Sequence, residues 1–199
     1  MLHDLSENPV VQLLVNETRR AEVKGPALAE AHRRVGAALA LVAARRAIVE
    51  SVEIRHVTGP AQGMALAASA APLCLALMRA GLFMAEGLWA SLPGAALVPW
   101  DGHEASLATL PIADRPVIVV DAVINTGRSV DRALELVLAR GPAWVTVAAL
   151  VANADGLAGR LQRWPSVEFA IARISAHSYV GKGGTDTGAR LFGTTNFET

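Results

Sequence analysis

Residues 116–129, with the sequence PVIVVDAVINTGRS, contain the groups that a protein needs to hold a phosphorylated sugar. A carboxylate, Asp121, directly follows the β-branched run at 117–120, and a short loop with two hydroxyl side chains, Thr126 and Ser129, comes next. Backbone N–H groups, hydroxyls and the positive end of a helix dipole bind a phosphate dianion. A carboxylate beside them accepts hydrogen bonds from sugar hydroxyls. The pattern therefore predicts a ribose 5-phosphate site on one loop.

The elements on either side of this loop determine where it lies. Residues 117–120 are typical of a strand buried on both faces of a parallel sheet, and apolar residues recur at helical spacing from 130 to 138. Ligands of open α/β sheets bind outside the carboxyl ends of the strands, which places Asp121 at a binding edge. The residues alone equally allow an ordinary turn that Asp121 and Thr126 only cap. Neither a P-loop nor a dinucleotide glycine pattern follows any predicted strand.

A second chemical group, Arg79, stands at the end of another predicted strand, 73–78, and is followed by Ala80 and Gly81. A guanidinium in this position can offer two parallel N–H donors to a pyrophosphate. A solvated surface arginine is the simpler interpretation, and the residues alone do not decide between the two.

The composition limits the class of protein. A chain of 199 residues, 52% hydrophobic and 18% charged, is too apolar for disorder, is long enough for one domain, and suggests a buried subunit interface. Its net charge of zero gives no electrostatic support for a nucleic-acid partner. The single cysteine, Cys74, cannot form an internal disulfide and is predicted to be a core thiol. No cluster of metal ligands is visible in the sequence.

The longest stretch without charge, residues 57–78, is interrupted by glycine and proline. We therefore predict a helix followed by a buried strand there, and no membrane span. The first ten residues, MLHDLSENPV, show no basic segment leading into an apolar one, so we expect no secretory signal and a cytoplasmic location.

The remaining elements follow from apolar periodicity. Residues 52–57 alternate charged and apolar side chains, which predicts a half-exposed strand or arm, and 26–49 is predicted as a long helix opened by Gly25-Pro26. Further strands are predicted at 95–98, 144–151 and 167–171, and further helices at 8–20, 82–91 and 155–164. The strand–helix alternation from 73 to 171 implies a parallel sheet. Taken alone, 181–199 would be a flexible tail.

Three segments resemble one known family. VVDAVINTGRS at 119–129 resembles the ribose-phosphate loop of type I phosphoribosyltransferases, which use 5-phosphoribosyl-1-pyrophosphate (PRPP). LMRAGLFM at 77–84 and GGTDTGARLFGT at 183–194 resemble the ILRAGLGM and GLGDAGDRLFGT segments of uracil phosphoribosyltransferases. That family has one acid followed by proline in the first motif, whereas Ala122 follows Asp121 here. The resemblance runs from Pro9 to Thr194, and the chain is identified as a divergent member.

The resemblance implies the type I phosphoribosyltransferase fold, an α/β fold with a central, mostly parallel sheet flanked by helices. We expect one domain over residues 1–199, with a core at about 60–175. A small hood would be formed by the N-terminal helices together with 176–199.

The resemblance also assigns residues to roles. Catalytic roles fall to Arg79, Asp121 and Asp186. PRPP would bind to Arg79, Ala80, Gly81, Asp121, Ala122, Val123, Ile124, Asn125, Thr126, Gly127, Arg128, Ser129 and Asp186. The base would bind to Tyr179, Val180, Thr185, Asp186 and Thr187. Magnesium would enter with PRPP, without dedicated protein ligands. Thr185 stands where the family has glycine, so its side chain is expected to crowd the base or alter the turn.

The reaction implied is uracil plus PRPP giving uridine 5′-monophosphate (UMP) and pyrophosphate, a step of pyrimidine salvage. A homodimer or a larger even-numbered assembly is expected. Two alternatives stay open, namely transfer to another base and a regulatory protein that binds PRPP or nucleotide with little turnover.

One segment departs from the family. In uracil phosphoribosyltransferases the loop corresponding to residues 99–110 is longer and carries a Tyr-Arg pair that closes over PRPP. Here it contains neither residue, and Asp101 and Glu104 would repel pyrophosphate unless magnesium intervenes. His103 is the one residue that could partly substitute as a cation. We therefore expect PRPP binding to survive and turnover to be low.

Overall fold

The structure is a computed structural model that describes residues 1–179 and 181–194. Its strands are β1 (Leu2–Asp4), β2 (Val49–His56), β3 (Gly59–Leu66), β4 (Leu73–Leu77), β5 (Ala96–Trp100), β6 (Pro116–Ile124), β7 (Trp144–Asn153) and β8 (Glu168–Ser175). Its helices are α1 (Pro9–Arg19), α2 (Pro26–Ala43), α3 (Leu82–Ala90), α4 (Ala105–Ala108), α5 (Arg128–Leu138), α6 (Ala154–Arg163) and α7 (Thr187–Phe192). Single 3₁₀ turns lie at Ala68–Ala70 and Gly183–Thr185.

Six strands form one parallel sheet in the order β1-β8-β7-β6-β4-β5. Strand β6 lies inside it, and residues 117–120 are fully buried, as the β-branched run predicts. Val119 faces an apolar layer shared with α5 and α6, whereas Ile118 and Val120 face a second layer shared with α1, α2 and α3. Alternate residues of one strand thus fix helices on both sides, and the predicted α/β class is confirmed.

One predicted element is wrong, and another is shorter than predicted. Residues 59–66 form strand β3, paired antiparallel with β2 in a separate two-stranded sheet, and not a helix. Exposed and partly buried side chains alternate along β3, so its period is two, although its composition is apolar enough for a helix. The helix α2 ends at Ala43, and Val49 starts β2. Just beyond the end of this helix, Arg45 Nε donates to Glu168 Oε2 at 2.8 Å. This bond holds the chain against the sheet.

Strand β1 was not predicted, because three residues are too few to show a period. It pairs with β8 in parallel, with Leu2 opposite Phe169 and Asp4 opposite Ile171. The other predicted strands are confirmed, and β7 and β8 continue beyond their predicted ends to Asn153 and Ser175.

The hairpin β2–β3 stands apart from the central sheet and exposes large apolar side chains. Val57 is 95% exposed, and Val49, Ile54 and Met64 are exposed as well. The predicted half-exposed arm at 52–57 is therefore confirmed as part of this hairpin. None of the helices described by the structure is long and apolar enough to cross a membrane.

Helices α2 and α3 approach each other through two glycines. A Cβ atom on Gly36 would lie 1.9 Å from the carbonyl oxygen of Met84, and one on Gly87 would lie 1.9 Å from that of Arg33. Only glycine fits at both crossing positions, so α2 is fixed closely against the sheet-covering helix α3.

Segments from both ends of the chain meet above the carboxyl edge of the sheet. Gly25 N donates to Arg190 O at 2.8 Å, and Arg190 Nη2 donates to the carbonyl oxygens of Arg20 and Val23 at 2.8 and 2.7 Å. Leu191 of α7 packs with Leu28 of α2 in a small apolar cluster of its own. These contacts place α7 beside the start of α2.

Candidate functional site

A cavity of about 220 Å³ lies where β4 and β6 end, and we call it the Asp121 cavity. Its lining brings together Arg79, Asp121, Ser129 and Asp186. These residues come from the three motifs that were singled out in the sequence, although more than a hundred residues separate the first from the last. Their convergence at the carboxyl edge of a parallel sheet is what the strand–loop–helix pattern predicts.

Arg79 and Asp186 face each other across this cavity. The distance from Arg79 Nη2 to Asp186 Oδ1 is 3.7 Å, and both side chains are about half exposed, at 51% and 44%. Asp186 also caps α7, because its Oδ1 accepts from the N–H of Ala189 at 2.7 Å. This contact keeps the carboxylate oriented toward the cavity. Arg79 follows a cis peptide bond after Met78, whose N–H donates to Trp100 O at 2.9 Å.

Asp121 lines the cavity and is partly buried. Burial raises its pKa to about 7, although the backbone N–H groups of Ala122 and Val123 act in the opposite direction. Near neutral pH the group therefore exchanges between a charged acceptor and a protonated donor. A neighbouring positive charge, from a ribose cation or a metal ion, would favour the charged form.

The loop before α5 has the geometry of an anion site. Gly127 has φ of 71°, a left-handed conformation, and no side chain caps the first turn of α5 within the described residues. The N–H groups of a first helical turn have no partner inside the helix, so they remain available to a ligand. Thr126, Arg128 and Ser129 are exposed around them.

A neighbouring cavity of about 310 Å³ extends the Asp121 cavity toward β5. It shares Leu77, Met78 and Ser129 with that cavity, so the two form one cleft, and it adds Arg128 and Arg132. Arg132 was not predicted, although its spacing of four residues from Arg128 places both on one face of α5 and could have shown it. The distance from Arg132 Nη2 to Glu104 Oε2 is 3.5 Å, so the two side chains form an ion pair.

The start of segment 99–110 lines this cleft with Trp100, Asp101 and Gly102, and the rest of the segment packs against the protein. Trp100 Nε1 donates to His103 O at 2.8 Å, and Leu107 is 1% exposed. Arg140 donates to the carbonyl oxygens of Leu107, Ala108 and Leu110. His103 is exposed and lines none of the cavities found among the described residues.

On the other side of the β6 end lies a larger cavity of about 360 Å³, which we call the arginine cavity. Arg19, Arg173 and Arg190 line it together with His32 and His177. Among the described residues that line it there is no aspartate or glutamate. None of these five residues was predicted as a site residue. Four of them stand singly on α1, α2, β8 and a loop, outside the three motifs, and Arg190 lies in the motif at 183–194 but was assigned no role there.

The residues assigned to the base lie at this second cavity only in part. Tyr179 and Thr187 line it, as do the residues assigned to PRPP at the end of β6 and just after it, Ala122, Val123, Ile124 and Asn125. The first three of these were expected in a loop and lie in the strand. Asn125 Nδ2 donates to Tyr179 O at 2.7 Å and so ties that loop to the hood. Val180 lies outside the described residues.

Thr185 does not line the arginine cavity, and its hydroxyl closes a turn. Its Oγ1 accepts from Lys182 N at 3.0 Å and donates to Lys182 O at 3.0 Å, while Tyr179 Oη donates to Thr185 O. Ala80 lines the Asp121 cavity, whereas Gly81 packs under it, since a Cβ there would lie 2.4 Å from Val120 O. Thr126 and Gly127 line none of these cavities.

Comparison with known proteins agrees with this architecture. A sequence model of the family described as uracil phosphoribosyltransferase matches residues 5–194. The AQ2163 protein from Aquifex aeolicus is 24% identical, with 96% of this chain and 98% of that chain covered and a TM-score of 0.79. The TT1426 protein from Thermus thermophilus is 20% identical, with 81% and 96% covered and a TM-score of 0.52. A hypothetical protein from Neisseria gonorrhoeae with bound ppGpp is 15% identical, with 83% and 93% covered and a TM-score of 0.51. Identities this low indicate a shared fold.

Proposed function

This chain belongs to the uracil phosphoribosyltransferase family, and from that premise we propose that it transfers the phosphoribosyl group of PRPP to a nucleobase, with uracil as the first candidate. The type I phosphoribosyltransferase fold expected from the sequence is confirmed. One observation carries the proposal, namely the convergence of Arg79, Asp121, Ser129 and Asp186 on one cavity at the carboxyl edge of the sheet. The chemistry of each residue suits a different part of PRPP.

The reaction joins a ring nitrogen of the base to C1 of the ribose. The bond between C1 and the pyrophosphate oxygen breaks, pyrophosphate leaves with the electron pair, and the proton of the ring nitrogen is released to water. Positive charge develops on the ribose and negative charge on the leaving group, so fixed charges and positioning supply the catalysis. Asp121 would stabilise the ribose hydroxyls and Arg79 the pyrophosphate.

The 5′-phosphate would bind at the start of α5. The uncapped N–H groups there and the exposed hydroxyls of Thr126 and Ser129 are the donors for it. Arg128 and Arg132 lie in the continuous cleft and would add positive charge on the pyrophosphate side.

Magnesium fits the donor set of the Asp121 cavity. Asp121 and Asp186 present carboxylate oxygens, which Mg²⁺ prefers together with substrate phosphates and water. Within the described residues no group of three or more side chains could hold a metal ion alone, so the substrate would provide the remaining ligands. The ion would neutralise charge on the leaving pyrophosphate.

The base would enter from the arginine cavity. Asp121 and Asp186 line the Asp121 cavity, whereas the residues that follow them, Ala122 and Thr187, line the arginine cavity. A ribose held by Asp121 would therefore present C1 at the border, with Tyr179 and Thr187 beside the acceptor ring.

Product formation with radiolabelled PRPP and Mg²⁺ tests the proposal against a panel of uracil, cytosine, thymine and purines. We expect a PRPP-dependent nucleotide with a pyrimidine. Arg79→Gln should lose PRPP affinity, whereas Arg55→Gln, on the exposed hairpin, should keep it. A clear purine preference would overturn the pyrimidine assignment, and PRPP binding without any product would favour a regulatory role.

A further inference from the structure

We propose that the acceptor base carries a carboxylate, which the arginine cavity binds, so that a carboxylated pyrimidine is preferred over neutral uracil. The inference rests on the proposed phosphoribosyl transfer and specifies its acceptor. The three motifs that carry the family resemblance do not assign a role to Arg19, Arg173 or His32.

The first argument is uncompensated charge. In the described part of the chain, none of Arg19, Arg173 and Arg190 pairs with a carboxylate, although most other arginines there form such pairs. Among the described residues, the Arg190 guanidinium donates only to the carbonyl oxygens of Arg20 and Val23, which orient it without neutralising it. The whole chain has equal numbers of acidic and basic residues, 18 of each, so this local excess does not follow from composition.

The second argument is mutual repulsion. Arg173 is partly buried at the end of β8, where burial lowers its pKa first and the positive charge of Arg19 lowers it further. Two guanidinium groups near each other repel, although Arg19 is exposed, and an anion bound between them would relieve that repulsion. A carboxylate matches the planar fork of donors that an arginine presents.

The third argument is a buried polar atom without a partner. His32 is 2% exposed, lines the cavity, and its Nδ1 has no hydrogen-bond partner among the described residues. Burial, with a contribution from Arg190, lowers its pKa to about 4, so the ring is neutral at pH 7. A buried nitrogen without a partner costs about 1 to 3 kcal/mol, which a polar group on a ligand would recover. The cavity thus offers both charge for an anion and a neutral group for a heterocycle.

Size and position agree with a small heterocyclic acid. A volume of about 360 Å³ lies in the range of small-molecule sites. The cavity reaches the C1 side of the Asp121 cavity through Ala122 and Thr187, so the ring nitrogen can meet C1 while the carboxylate points toward the arginines. The carboxylate itself is unchanged in the reaction.

The test compares four acceptors, namely uracil, uracil-5-carboxylate, uracil-6-carboxylate and the uncharged uracil-6-carboxamide. We expect kcat/KM for one carboxylate to exceed that for uracil and for the amide at least tenfold. Arg173→Gln and Arg19→Gln should abolish this preference while PRPP affinity stays within about twofold. Arg173→Lys should restore part of it, and Arg55→Gln, on the hairpin, should have no effect.

A preference for uracil over both carboxylates, or a carboxylate preference unchanged in Arg173→Gln, would overturn the inference. Inorganic phosphate and UMP serve as competing anions. If Arg173→Gln weakens only their binding, the cavity binds a phosphate, and the carboxylate assignment is wrong. If no base gives product, calorimetric binding of the same four compounds tests the inference without the reaction. Tighter binding of a carboxylate would then support the inference even though the proposed transfer fails.

Discussion

The two cavities at the end of β6 carry charges opposite to those that their expected ligands would suggest. The Asp121 cavity, meant for a highly anionic substrate, holds two carboxylates and one arginine, which already lies 3.7 Å from Asp186. The arginine cavity, meant for a neutral base, has three arginines and no described carboxylate. The charge of a ligand therefore cannot be read from one motif, since cations that arrive with a substrate and charges on distant elements both contribute.

The largest effect should come from neutralising the acidic side, through the stability of the fold. The pKa of Asp121 is raised to about 7, so between its unfolded value and pH 7 the folded state holds a proton that the unfolded state has lost. Stability contributed by this group is therefore highest below about pH 4 and falls as pH rises toward 7. At about 1.4 kcal/mol per pKa unit, the loss amounts to at most a few kcal/mol.

Urea unfolding of the wild type and Asp121→Asn at pH 5 and pH 8 measures this loss. The variant should become more stable relative to the wild type at pH 8, whereas Asp155→Asn, an exposed residue of α6, should show no such change. An equal difference at both pH values would mean that the Asp121 carboxyl is not desolvated.

The same variant should lose function while it gains stability. Because a charge-assisted hydrogen bond contributes about 1.5 to 3 kcal/mol, PRPP–Mg²⁺ affinity or kcat should fall about tenfold to a hundredfold in Asp121→Asn. Isothermal calorimetry and initial rates measure both, again with Asp155→Asn as the matched control. Unchanged affinity together with an unchanged rate would reduce Asp121 to a turn residue.

The next prediction concerns the packed segment 99–110. Arg140 holds it through the carbonyl oxygens of Leu107, Ala108 and Leu110, and it supplies no cation to the cleft in place of the missing Tyr-Arg pair. We expect PRPP binding to survive and turnover with the best acceptor to stay well below the roughly 10 per second typical of enzymes. Steady-state kinetics beside calorimetric PRPP binding decide the point. Turnover at or above that rate would show that the short segment costs nothing.

The smallest effect on either cavity should come from assembly. The hairpin β2–β3 exposes Ile54, Val57 and Met64 and lines neither cavity, and it is our candidate for the contact of a homodimer or larger even-numbered assembly. Light scattering of the wild type should give an even number of subunits. Ile54→Lys should lower that number and leave PRPP affinity within about twofold. A monomeric wild type at micromolar concentration would refute the proposal.

The acidic side was predictable from the sequence because its signals are local. The β-branched run before Asp121 predicts β6, and the helix α5 follows within a few residues. The strand itself was predicted too short, because β6 continues through Asp121 to Ile124 before the loop begins. Strand β3 of the hairpin was missed because the prediction for residues 57–78 relied on their apolar content. The alternation of exposed and partly buried side chains along β3 is that of a half-exposed strand.

The basic side was not predictable, because its residues come from distant elements. Arg173 offered the one available signal. Strand β8 was predicted to end at Ile171, but it continues to Ser175, which places Arg173 at the carboxyl edge of the sheet. Arg19 and Arg190 meet it only after α1 and α7 pack. The expected hood of N-terminal helices and residues 176–199 does not say which side chains that packing would bring together.

The pairing of β1 with β8 also has a consequence for the order in which the chain assembles. Strand β1 pairs with β8, with Leu2 opposite Phe169, and β8 is synthesised more than 160 residues later, so this edge of the sheet closes late during biosynthesis. Helix α1 follows β1 and also contacts β8, so closing this edge brings Arg19 near Arg173 against the repulsion of two like charges. An anion that fits between them should accelerate this step, and stopped-flow refolding with and without uracil-6-carboxylate would show whether the ligand speeds the closing of the sheet as well as occupying the finished protein.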